Sequence, residues 1–237
     1  MIPKKIHYCW LSGDPYPPKI QHCINSWHKI LPDYEFVLWD THRFPLEQSV
    51  WVKEAFETKM YAFAADFIRL YAIYHEGGIY LDCDVEVIKR FDNLLHLSYF
   101  IGEEALPDRI EVAAFGAEEG TPWVKQVLDY YECKHFKQPD GSLETNILPM
   151  IVHDIISRQY EFNHITQIVD YNPQPQVFNI FPRDWFCANV YLQPDAPMPS
   201  YVIAEPTYCV HHFANSWVKV NHTKQFIKRI LKKFALI

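Results

Sequence analysis

Asp82 and Asp84 stand one residue apart at the end of the run Gly77-Gly78-Ile79-Tyr80-Leu81, and no other pair in this chain is better spaced to do chemistry. On an extended strand alternate side chains share a face, so both carboxylates are expected on one side with Cys83 turned away. Two carboxylates held that close repel unless a cation lies between them. Hard oxygen donors of this kind select Mg²⁺ or Mn²⁺. An isolated D-x-D pair also occurs as a loop with two solvated acids, so the flanking residues decide the reading.

Upstream, residues 60–74 carry apolar side chains at 60, 63, 64, 67, 70, 71 and 74, the spacing of a helix with one face in the core. Asp66 and Arg69 lie three apart on a different face and within reach of each other. Taken alone, they read as a surface ion pair worth about 0.3 kcal/mol. Gly77 is placed to end the helix in a left-handed conformation and Gly78 to turn the backbone into the strand. The helix end and the acidic strand end are therefore coupled.

Nearer the N-terminus, residues 5–10 read as a buried strand, 19–31 as a helix and 34–39 as a second strand ended by Asp40. Strand, helix and strand in alternation predict an α/β protein with a parallel, doubly wound sheet. Ligands of such sheets bind beyond the carboxyl ends of the strands, which is where Trp10, Asp40 and Asp84 fall. Later on, residues 99–103 and 111–115 read as strands, and 123–131 and 143–157 as helices. Prolines at 173, 175, 182, 194, 197 and 199 predict irregular surface structure over the site from 171 to 199.

With 49% hydrophobic and 16% aromatic residues, the 237-residue chain can bury a sizeable core, most simply as one domain. A net charge of -7 argues against a general nucleic-acid binder. No charged-then-apolar leader and no apolar run of the roughly 18 residues needed to span a bilayer is visible. The six cysteines are scattered without a C-x-x-C pair and are expected to be reduced, in a cytoplasmic setting. Cys83, between two carboxylates, is expected to have a raised pKa and to be a poor nucleophile. In residues 223–237 the apolar side chains at 226, 227, 230, 231 and 234 oppose Lys224, Lys228, Arg229, Lys232 and Lys233. That basic amphipathic helix suits either an anionic membrane surface, giving peripheral attachment to the cytoplasmic membrane, or packing on its own domain.

The motif Ala65-Asp66-Phe67-Ile68-Arg69-Leu70 followed by Gly77-Gly78-Ile79-Tyr80-Leu81-Asp82-Cys83-Asp84 resembles the signature of glycosyltransferase family 32, the D-x-D sugar-transfer proteins. It is more distantly similar to that of the clostridial glucosylating toxins. Ile2-Pro3-Lys4-Lys5-Ile6-His7-Tyr8-Cys9-Trp10 resembles the family's opening strand, and His211-His212-Phe213-Ala214-Asn215-Ser216-Trp217 its closing element. The resemblance implies a GT-A type, Rossmann-like nucleotide-sugar-binding domain over residues 1–222, followed by the amphipathic segment 223–237. It implies a metal-dependent, retaining transfer of a hexose from a UDP- or GDP-sugar to an oligosaccharide or lipid-linked acceptor, in bacterial capsular or surface polysaccharide synthesis.

On that resemblance, Mn²⁺ or Mg²⁺ is held by Asp84, by Asp82 directly or through water, and by His211 or His212, with family likeness favouring His211. Trp10 is placed to stack on the nucleobase, with plain core packing as its alternative. Asp66 corresponds to the family acid that holds donor-sugar hydroxyls, Arg69 to the base that reaches the sugar or diphosphate, and Ser216 and Trp217 to the diphosphate-binding pair. Because Trp217 directly follows Ser216, this element departs from the toxin pattern. Thr145 and Asn146 fall where family members carry an acceptor-side turn, and their departure from it leaves their role open. Two other functions compete. Leu81-Asp82-Cys83-Asp84-Val85 also satisfies the motif of haloacid-dehalogenase-like phosphatases, with Asp82 as nucleophile, and the seven Trp and fifteen Tyr would suit a non-catalytic carbohydrate-binding protein.

Overall fold

A computed structural model describes residues 1–104, 106–188 and 205–213. The first alternation is the predicted one. Strand β1 (Lys5–Cys9) leads to helix α1 (Pro18–Ile30) and then to β2 (Glu35–Trp39), which pairs parallel to β1 with Cys9 opposite Trp39. Pro18 starts α1, where its missing N–H costs nothing. Ile20, Cys23, Ile24 and Trp27 form the buried stripe of α1, and the helix stops just before Pro32. Helix α2 (Val50–Glu57) is capped by the Ser49 hydroxyl, which accepts the Val52 N–H at 3.3 Å.

Helix α3 (Tyr61–Glu76) corrects one expectation. Its buried residues include Asp66, Ile68, Arg69, Ala72 and Ile73, whereas Phe67, Tyr71 and Tyr74 are only half-buried. The helix is covered on several sides by α2, by β1 and by helix α4 (Pro122–Asp129), so a single-stripe reading understates what it buries. The Asp66–Arg69 pair is consequently an interior pair and not a surface one.

Strand β3 (Gly78–Leu81) is buried throughout and, flanked by β1 and by the later strands β5 (Tyr99–Glu103) and β6 (Ile110–Ala117), lies at the centre of a five-stranded sheet ordered β2-β1-β3-β6-β5. The β2-β1-β3 half is parallel, as predicted. The other half is antiparallel: β5 and β6 are joined by residues 104–109, too short a link for a helical crossover. The sheet is thus mixed, not uniformly parallel. Its alternating side chains feed two cores, with Tyr80 on the α3 side and Ile79 and Leu81 on the α1 side. Beyond the sheet, β4 (Val85–Val87) pairs antiparallel with β9 (Cys209–His211).

Helix α5 (Leu148–Ser157) begins five residues later than predicted, with a proline in its first turn. The proline-rich segment is also more regular than expected. Within its described part, β8 (Val177–Ile180) pairs parallel to β7 (Glu161–His164), and Pro182 caps the short helix α6 (Arg183–Phe186). Prolines 173, 175 and 182 bracket that strand without entering it. Residues 223–237, predicted to be amphipathic, lie outside the described residues.

The link from α3 to β3 depends on two glycines. Gly77 has φ 59° and its N–H caps the Ile73 carbonyl, while Gly78 has φ 112°. A Cβ on Gly78 would lie 3.0 Å from the Lys5 carbonyl oxygen and 3.1 Å from His7 Nε2. His7 is itself buried and neutral in bonding pattern: its Nδ1 accepts the Trp39 indole N–H at 3.0 Å, so Nε2 carries the proton donated to the Gly77 carbonyl at 2.8 Å. Gly78→Ala is expected to lower the unfolding free energy by about 1–3 kcal/mol, the usual cost of such backbone strain. Urea denaturation measures it, and an unchanged midpoint would show that the turn tolerates a side chain.

Candidate active site

The strand β3 ends at Leu81, so Asp82, Cys83 and Asp84 form a turn and not the face of a strand. The Asp82 N–H donates to the Ala113 carbonyl at 2.7 Å, and the Val85 N–H closes the turn on the Asp82 carbonyl at 2.9 Å. The carboxylates still converge, because the turn bends both inward. The pairing of β4 with β9 sets Val85 opposite His211 and carries that imidazole to the same place. The ligand atoms of Asp82, Asp84 and His211 all lie within 4.8 Å of one another. Two carboxylates and an imidazole make a donor set that fits Mn²⁺ or Mg²⁺. Of the two histidines, His211 is the one in the site; His212 turns away and meets Glu86 Oε2 at 2.9 Å through its Nε2.

Beneath the turn lies Arg69. Its Nη2 is 3.0 Å from Asp66 Oδ1 and its Nη1 is 3.2 Å from Asp82 Oδ2. Nη1 also donates to the Val112 carbonyl at 2.9 Å, Nε to the Ala65 carbonyl at 3.3 Å, and the guanidinium sits over the Tyr80 ring. The Tyr80 hydroxyl donates to Asp82 Oδ1 at 2.9 Å, so both Asp82 oxygens are engaged. Burial pushes the Asp82 carboxyl upward against the pull of Arg69, and the neighbouring Asp84 adds to the rise. Burial likewise raises Asp66 to about 6, with Arg69 opposing.

Glu111, at the start of β6, is the residue that sequence reasoning missed. It is 2% exposed and faces His211 Nδ1 from 3.4 Å, while His211 Nε2 is 3.6 Å from Asp84 Oδ1. Burial would depress the imidazole pKa, but Glu111 and Asp84 outweigh it and bring His211 to about 9. A signal was present in the sequence: Glu111 is the single charge in the apolar run Ile110–Ala117.

A cavity of about 1180 Å³ is lined by Trp10, Asp66, Arg69, Asp82, Asp84 and His211, which brings most of the predicted site residues together. Trp10 is half-buried there, its indole N–H on the Asp14 carbonyl at 2.7 Å and its ring edge-on to Tyr16. The Cys83 thiol donates to the Cys9 carbonyl at 3.2 Å, and burial foremost pushes its pKa well up. Thr145 and Asn146 are exposed and stand just before Ile147, Leu148 and Pro149, which do line the cavity. Ser216 and Trp217 lie outside the described residues.

Known proteins resemble this chain in sequence and in fold. Residues 17–101 match the family described as "Glycosyltransferase sugar-binding region containing DXD motif", the class that the motifs resemble. The chain is 32% identical over 131 residues to "Inositol phosphoceramide mannosyltransferase 3" of Schizosaccharomyces pombe, a match covering 54% of this chain and 36% of that protein. To "Mannosyl phosphorylinositol ceramide synthase CSH1" of Saccharomyces cerevisiae it is 28% identical over 145 residues, covering 58% and 37%. The chain thus matches well under half the length of these curated relatives. Among solved structures, "PaToxG Glycosyltransferase" superimposes with a TM-score of 0.50 at 19% identity, over 66% of this chain and 69% of that one, which supports the GT-A type α/β fold.

The raised Asp66 carboxyl has a consequence for stability. The ordinary value is 3.8 and the folded one about 6, so between them the folded protein keeps a proton that the unfolded chain releases. Stability therefore falls as pH rises through this window and levels off above it. Asp66→Asn removes the titration, so its stability relative to the parent is expected to improve as pH climbs from 3.8 to about 6. Parallel denaturation curves across that range check this; a constant difference would contradict the buried, raised carboxyl.

Proposed function

We propose that this chain is a metal-dependent glycosyltransferase that moves a hexose from a UDP- or GDP-linked donor to an acceptor hydroxyl, with retention of anomeric configuration. The observation that carries the reading is the convergence of Asp82, Asp84 and His211 on a cavity that Trp10 and the Asp66–Arg69 pair also line. A divalent ion held by Asp82, Asp84 and His211 would supply the positive charge that stabilises a departing nucleoside diphosphate. Trp10 offers an aromatic face to a nucleobase. Asp66 accepts hydrogen bonds from donor-sugar hydroxyls, and Arg69 holds Asp66 and Asp82 at fixed positions while adding positive charge near the sugar and diphosphate. Ser216 and Trp217 complete the diphosphate contacts in this proposal.

The phosphatase alternative places its nucleophile at the end of the first strand. Here β1, α1 and β2 all precede the strand that ends before Asp82. A purely carbohydrate-binding role gives no reason for gathering acids, Arg and His in one cavity. The names of the yeast relatives support mannose as the hexose and an inositol phosphate lipid as one acceptor class, beside the surface glycan suggested by the motifs.

Asp84→Ala is expected to abolish transfer and Mn²⁺-dependent binding of UDP or GDP while the protein stays folded. Calorimetric titration with and without Mn²⁺ checks it, and near-parental activity in excess Mn²⁺ would remove Asp84 from the metal centre. In the same titrations Trp10→Ala should weaken nucleotide binding by about 1–3 kcal/mol, the scale of base–aromatic stacking; an unchanged dissociation constant would return Trp10 to core packing. The anomeric proton coupling of the product formed from an α-linked donor tests retention, a β-type coupling for a gluco- or galacto-configured sugar being the contrary result.

A lipid-linked acceptor requires access to a membrane. Among the described residues no helix is long and apolar enough to cross one. The five cations of residues 223–237 lie in a segment outside the described residues, and peripheral attachment to the cytoplasmic face through them is part of the proposal. Each contributes about 1 kcal/mol near an anionic surface. The protein should co-sediment with anionic liposomes at low salt, be released by high salt, and lose binding when 223–237 are deleted. Equal partition of intact and truncated protein would exclude this segment as the anchor.

A further inference from the structure

A carboxylate buried in an apolar strand is costly unless each oxygen is occupied, and Glu111 meets that condition in a directional way. Its Oε1 accepts the Ala113 N–H at 2.7 Å. Its Oε2 faces His211 Nδ1 at 3.4 Å, and the Cys187 sulfur lies within 4.8 Å of both groups. The imidazole has little freedom to turn. Its backbone is pinned in the β4–β9 pair, and Phe213 stacks on its ring with centroids 3.9 Å apart at 28°. With Nδ1 committed to Glu111, the other nitrogen, Nε2, is left facing Asp84 and Asp82.

We propose that Glu111 is the positioning residue of the metal centre: it accepts the Nδ1 proton of His211, so that Nε2 keeps its lone pair and is aimed between Asp82 and Asp84. The proposal rests on the metal-dependent reading of the site. An imidazole binds a metal only through an unprotonated nitrogen, and the hydrogen bond on the far nitrogen selects which one that is. The Ala113 N–H acts one step further back, holding the carboxylate still. Glu111, Cys187 and His211 also lie close enough together to be ligands of an ion themselves. That use is disfavoured by burial: Glu111 is 2% and Cys187 0% exposed.

Glu111→Gln discriminates. A carboxamide has one oxygen for two donors, the Ala113 N–H and the imidazole Nδ1–H, and its NH₂ group turned toward His211 would drive the imidazole proton to Nε2. The test uses the full chain and measures Mn²⁺ affinity by electron paramagnetic resonance in the presence of UDP and, separately, GDP. Glu111→Gln is expected to raise the Mn²⁺ dissociation constant about 10–100-fold, the usual effect of losing such a support, with nucleotide affinity in the absence of metal unchanged. Cys187→Ser, which keeps a hydrogen-bond donor, should stay within about threefold of the parent, on the standing scatter of such effects. A second measurement needs no variant: ¹⁵N spectra of the histidine-labelled, Mg²⁺-loaded parent should show His211 protonated on Nδ1.

Unchanged Mn²⁺ affinity in Glu111→Gln, or a proton on Nε2 in the loaded parent, would overturn the proposal. A loss in Cys187→Ser as large as in Glu111→Gln would overturn it too, by making the inner trio the ligand set. A parent protein that binds no Mn²⁺ with either nucleotide would instead defeat the functional reading beneath it, and so the two failures are distinct.

Discussion

The Arg69 guanidinium, buried between Asp66 and Asp82, is the interaction on which the site depends. It ties the middle of α3 to the turn after β3 and spans two elements that the glycine pair connects only through the backbone. Burying that arginine without partners would be prohibitive, and burying two carboxylates without it equally so. The three groups are therefore interdependent, and the position of Asp82 follows from the packing of α3. Charge balance extends the argument outward. Asp66, Asp82, Asp84 and Glu111 are four acids gathered around Arg69 and His211, an excess of negative charge that would suit a divalent ion.

The mixed sheet makes this gathering possible. In a parallel half-sheet the carboxyl ends of β1 and β3 open on the same side, which is where Trp10 and Asp82 emerge. Because β6 runs antiparallel to β3, its amino end lies at that same edge, with Ala114 opposite Leu81. Glu111 and the Val112 carbonyl thereby reach the site from a strand that a wholly parallel sheet would have oriented the other way. The short β4–β9 pair adds His211 from more than a hundred residues downstream.

Local pattern in the sequence was sufficient for a good deal of this. Helical spacing, a glycine pair and a D-x-D at the end of an apolar run identify α3, its stop and the acids, because each depends on neighbours within a few residues. The β1-α1-β2 alternation is equally local. The resemblance carried by residues 65–84 pointed to the class that the match over residues 17–101 supports. Where local pattern misled, a long-range contact was the cause. The proline count suggested irregularity, yet β8 forms between the prolines because β7 supplies a partner.

What the sequence by itself determined is therefore the chemistry available: two acids one residue apart, an Asp–Arg pair on a helix, a Trp after the first strand and a His pair near the end. Only the tertiary structure decided how those groups are arranged. It bends Asp82 and Asp84 together through a turn, buries Arg69 as a link, selects His211 over His212 and brings Glu111 behind it. The physical reason is that side-chain type and periodicity are properties of neighbouring residues, whereas strand direction, pairing register and burial depend on segments far apart in the chain.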